Sequence, residues 1–112
     1  MAQNRNKLID LFIGNFSNAV LHAILEKAAD HKEYSGKYRK ESLNSLEIAK
    51  KYRDKINPAH APLPEKDMAY VRNKIINKIK AELRLRIAKG YDNLDVHSVE
   101  NDVDKLLKNA DI

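Results

Sequence analysis

The segment from Leu8 to Leu25 constrains the fold most, because it is apolar around most of a helix rather than along one stripe. Leu8, Phe12, Phe16, Ala19 and Ala23 recur at three- and four-residue intervals, the period of a helical face. Ile9, Ile13 and Val20 widen that face, and Leu21, Ile24, Leu25 and Ala28 add apolar surface further round. A helix of this kind must be covered on more than one side. It is therefore either the central helix of the fold or part of a dimer interface. It does not read as a membrane span, since Asp10, Asn15, Ser17, Asn18 and His22 interrupt the run of about 20 apolar residues that spanning requires. Nor does it read as a signal peptide, because it continues as Glu26-Lys27-Ala28-Ala29 with no cleavage pattern. A cytoplasmic location is the expectation.

Periodicity and punctuation predict four helices in one domain covering residues 1–112, approximately 3–29, 37–56, 65–89 and 96–110. With 3 Gly and 3 Pro in 112 residues there is little turn chemistry for an all-β fold, and with no Cys there is no disulfide, thiolate metal site or cysteine nucleophile. The second helix carries the stripe Tyr38, Ser45, Ala49, Tyr52 and Ile56, flanked by Leu46 and Ile48, after a polar break at Asp30 to Gly36. Pro58, Pro62 and Pro64 form a stiff connector to the third helix. That helix buries Met68, Val71, Ile75, Ile76, Ile79, Leu83 and Ile87 and is capped by Gly90. Asp95 is the N-cap of the fourth, with Leu94 and Val99 at the positions of a hydrophobic staple. The fold class is all-α, a compact and mostly antiparallel four-helix arrangement.

The net charge of +5 is unevenly distributed. Residues 1–30 are neutral, 31–56 carry +4, 65–91 carry +5 and 92–112 carry −4. The outward face of the third helix holds Asn73, Lys74, Asn77, Lys78, Lys80 and Arg84. Lys74/Lys78 and Lys80/Arg84 set like charges four residues apart, which weakens an isolated helix by a few tenths of a kcal/mol per pair. Two explanations compete. Either the face neutralises phosphates, with Asn bonding phosphate oxygens or base edges, or Glu100, Asp102 and Asp104 of the fourth helix lie beside it. Arg72, inside the apolar stripe, is expected to lay its stem on the core and its head in water or on an acidic partner. Lys32, Tyr34, Lys37, Tyr38, Arg39 and Lys40 form a second basic stretch, in which Tyr38 is expected to serve the core.

No catalytic, cofactor or metal constellation stands out. Gly14, Gly36 and Gly90 are isolated, so no phosphate loop exists, and Thr is absent. His22 and Glu26 share a helix face without a second His–carboxylate pair to complete a metal site. Arg53-Asp54 followed by His60 resembles the Arg-x(4–6)-His motif of HEPN-type helical ribonucleases. That resemblance implies an Arg53/His60 pair, across a dimer, activating an RNA 2′-hydroxyl and stabilising phosphorane charge. The connector is a departure from the family pattern, since it takes His60 off the helix. The leading expectation is instead a non-enzymatic protein-interaction or self-association module acting through the first helix. Nucleic-acid binding on the third helix is the alternative, and the Arg53/His60 ribonuclease ranks below both.

Overall fold

Residues 5–28, 32–56, 63–91 and 94–109 are described by a computed structural model of the chain. They form α1 (Arg5–Ala28), α2 (Lys32–Ile56), α3 (Glu65–Ala88) and α4 (Val99–Asn109), the last preceded by a 3₁₀ turn at Val96–Ser98. Cross-helix contacts fix the directions. The Ser42 hydroxyl donates to the Ala19 carbonyl at 2.6 Å, and His22 faces Glu41, so α1 and α2 are antiparallel. Arg5 meets Asp67, and the Lys78 ammonium lies beside Gly14, so α1 and α3 run parallel. Arg72 and Lys80 meet Asp104 and Glu100, which sets α4 antiparallel to α3. The result is an up-down-up-down four-helix arrangement about 44 Å long and 24 Å across.

The centre of this arrangement is α1. Phe12, Phe16 and Ala19 are fully buried, and Leu8, Ile9, Ile13, Val20, Leu21, Ile24 and Leu25 are nearly so. The Phe12 and Phe16 rings sit 5.5 Å apart in a tilted pair. α1 is long and apolar enough to cross a membrane by composition alone, but most of that surface is covered by the other helices. Of the two sequence alternatives for this helix, the core position is the one it takes. α3 and α4 pack on α1 and on each other, whereas α2 packs on α1 alone. Val71, Ile75, Ile79 and Leu83 of α3, and Val99, Val103 and Leu107 of α4, close the core against it.

The helix ends follow local chemistry. Gly90 has φ 99°. Its N–H donates to the Ile87 carbonyl and that of Tyr91 to the Arg86 carbonyl, both at 3.0 Å, the paired bonds of a Schellman motif. The Asp95 carboxylate accepts from the His97 N–H at 2.8 Å, as expected of an N-cap, but the first turn it caps is 3₁₀ rather than α.

Three expectations need correction. The second helix begins at Lys32, not Lys37, and runs through Gly36, since one solvent-exposed glycine weakens a helix by about 1 kcal/mol without breaking it. Ile87 is 42% exposed rather than buried. α4 begins opposite Lys80 and runs back toward Arg72, so it does not reach the last turn of α3. Ile48, placed on the flank of the second helix's stripe, is exposed for want of a neighbour other than α1. Residues 3, 4, 29 and 110, at the ends expected for the first and fourth helices, lie outside the described residues, as does the connector from Asn57 to Pro62.

Candidate functional site

The acidic α4 meets the basic α3 through two carboxylates and α1 through a third. Asp104 accepts two hydrogen bonds from Arg72, Nε to Oδ1 at 2.6 Å and Nη2 to Oδ2 at 2.9 Å, the forked geometry suited to a guanidinium. Glu100 accepts from the Lys80 ammonium. Asp102 lies 3.8 Å from Lys27 of α1 and accepts from the Ser98 hydroxyl at 3.3 Å. The hydrogen bond from Lys80 holds the Glu100 carboxyl below its ordinary pKa. The bond from Arg72 does the same for Asp104 and raises the Arg72 guanidinium. Arg72 thus takes the structural role expected of it.

The same contacts divide the six candidate residues of α3. Lys80 belongs to the α3–α4 contact and is removed from the exposed face. Asn73, Lys74, Asn77, Lys78 and Arg84 are exposed, and no carboxylate pairs with Lys74, Lys78 or Arg84 among the described residues. The Lys74 ammonium stands 5.7 Å from the centre of the Tyr70 ring, which is itself 48% exposed. Lys78 leans over α1 at Gly14, where a glycine leaves the helix surface bare. Lys66, Tyr70, Lys74 and Lys78 follow one another at four-residue spacing, a rise of about 6 Å per step along a helix. Lys66 is also exposed, so the row is a basic ridge interrupted by one aromatic ring.

At the N-terminal end of that ridge, α1 and α3 part to leave a cleft of about 460 Å³. Arg5, Asn6, Ile9 and Asp10 line it from α1, and Lys66, Asp67 and Tyr70 from α3. Arg5 Nη2 donates to Asp67 Oδ2 at 2.5 Å, joining its two walls. Attention to the outward face of α3 overlooks Lys66, Tyr70 and the α1 residues. The four-residue spacing of Lys66, Tyr70, Lys74 and Lys78 is the sequence signal that would have found the first two. Asp10 and Asn6 become neighbours of Tyr70 only through the parallel packing of α1 and α3.

The remaining candidates have other settings. His22 serves the α1–α2 contact: Nδ1 donates to the Asn18 carbonyl at 2.8 Å, Nε2 lies 3.0 Å from Glu41, and the ring stacks on Tyr38. Tyr38 packs against the core, as the sequence stripe implies. No cluster of three or more metal-ligating side chains occurs among the described residues. Arg53 is 9% exposed on the buried side of α2, where burial lowers its pKa and Asp54 opposes the shift. His60, its partner in the ribonuclease reading, lies outside the described residues.

No protein-family model matches the chain, and no curated protein or solved structure matches it at a significant level.

Proposed function

We propose that this protein is a non-enzymatic, cytoplasmic nucleic-acid-binding module that uses the exposed face of α3. The observation that carries the reading is the division of the basic residues by α4. Its carboxylates take Arg72 and Lys80 and leave Lys74, Lys78 and Arg84 without an acidic partner among the described residues. Cations kept together against their mutual repulsion favour an outside anion, and a row of phosphates meets several of them at once. Asn73 and Asn77, interspersed on the same face, donate to phosphate oxygens or bond base edges.

The test is binding of short oligonucleotides as a function of salt. About three phosphate contacts give a slope of log affinity against log salt near −2 to −3. Replacing Lys74, Lys78 and Arg84 with Glu is expected to abolish binding while leaving the helical circular dichroism intact, because all three are solvent-exposed. Absence of binding by the wild type at low salt sinks the proposal.

A second reading, association with another protein, draws on Leu85, Ile87 and Tyr91, which are exposed to 57%, 42% and 51% at the C-terminal end of α3. α1 offers less to such a partner, since most of its apolar surface is buried within the fold. Light scattering at high concentration separates the two: a strict monomer counts against self-association and leaves nucleic-acid binding untouched.

A further inference from the structure

We infer that the cleft between the N-terminal halves of α1 and α3 receives an unpaired base, which makes single-stranded nucleic acid the ligand. The inference rests on the nucleic-acid reading of α3 and names the substrate class of that surface. Three observations meet here. The cleft opens directly beside the basic ridge, and Tyr70 belongs to both. Lys66, Lys74 and Lys78 lie on the same row, about 12 Å and about 6 Å apart, a line of cations along which the phosphates of one strand can run. The walls of the cleft combine an aromatic face, an aliphatic side chain from Ile9, and the hydrogen-bonding carboxylate of Asp10.

That combination suits a base better than a phosphate. An exposed ring offers a stacking face to any base, and the Lys74 ammonium near it places a cation where a phosphate flanking the stacked base would run. Carboxylates at a phosphate site would repel the ligand, whereas Asp10 at a base edge accepts from amino and imino groups. Asp67 is neutralised by Arg5 and presents little net repulsion. A base held in a duplex cannot enter the cleft without leaving its stack, at a cost of a few kcal/mol, whereas an unpaired base enters freely.

The experiment compares fluorescence anisotropy of a short labelled strand, as DNA and as RNA, with that of its duplex at low salt. Single strands of either sugar are expected to bind more tightly than the duplex. Tyr70→Leu is expected to weaken single-strand binding about tenfold without changing the salt slope, because stacking and phosphate contact are separate terms. Tyr70→Phe keeps the ring and is expected to keep the affinity. Thermal melts of both variants report folding directly, and Tyr70 is exposed enough for neither to disturb the core. Equal binding of single strand and duplex, with Tyr70→Leu neutral, overturns the cleft assignment and leaves the phosphate reading of α3 standing. No binding of either form by the wild type overturns both.

Discussion

Three glycines show how one residue type takes opposite roles in this molecule. Gly90 occupies the left-handed region at φ 99°, where a Cβ is strained, so Gly90→Ala is expected to destabilise by about 1 kcal/mol. Gly14 and Gly36 lie inside helices. A Cβ at Gly36 meets nothing within 4 Å, and one at Gly14 would stand 3.8 Å from the Lys78 ammonium, an ordinary contact. Gly36→Ala and Gly14→Ala are therefore expected to stabilise by about 0.5–1 kcal/mol each, through better helix propensity and a less disordered unfolded chain. Urea denaturation of the three variants checks the two signs together. At this scale the functional surface was only partly legible in the sequence. Lys74, Lys78 and Arg84 could be placed outward from helical spacing alone. Lys80 could not be set apart from them, because its neighbour Glu100 is 20 residues away and the contact depends on where α4 docks. Tyr70 has no place in the outward face as drawn from charged and amide side chains alone, and joins it only through its four-residue spacing from Lys66 and Lys74.

Among the elements, α4 is the one held most by charge. It is an 11-residue helix, too short to be stable alone in water, and it joins the rest through Val99, Val103 and Leu107 and three ion pairs. Glu100 and Asp104 have carboxyls lowered below their ordinary range by hydrogen bonds from Lys80 and Arg72. Groups lowered on folding add stability that is fully present above the unfolded value near pH 4 and is lost as pH falls through the folded one. The melting temperature is thus expected to fall on acidification below about pH 4, and Asp104→Asn to flatten part of that slope. Near neutral pH the same substitution is expected to cost about 0.5–1 kcal/mol, a modest figure because the pair is half in solvent. Thermal melts across the acid range measure both. Element identity was legible throughout: all four helices, the stop signal at Gly90 and the start signal at Asp95 follow from periodicity and capping. What the sequence underdetermined was the start of α2, where Gly36 and its polar neighbours read as a break yet belong to the helix.

For the molecule as a whole, the all-round apolar character of α1 implied coverage on several sides but not by what. The same pattern fits a buried core helix and a dimer seam, and only the tertiary arrangement, with three helices around α1, separates them. That arrangement is uneven. α2 has α1 as its sole helical neighbour but meets it along the most extensive helix pairing among the described residues, with Ala49 and Ile56 buried and Tyr38, Leu46 and Tyr52 half-buried, whereas α4 touches α1 and α3 over short stretches. Hydrogen exchange is expected to find α4 opening at lower free energy than α1 and α2. Uniform protection across all three helices would show a single cooperative unit instead.

The place of α1 also sets a problem of timing during synthesis. Of the four helices the most apolar leaves the ribosome first, and α4, which packs on it, leaves last. Pairing with α2 comes early because it is local in sequence, but it leaves the opposite flank of α1 bare until α3 and α4 have been made. Until then the nascent chain carries an open greasy hairpin. The short acidic helix that closes it ends this exposure, which gives α4 a part in avoiding aggregation out of proportion to its length.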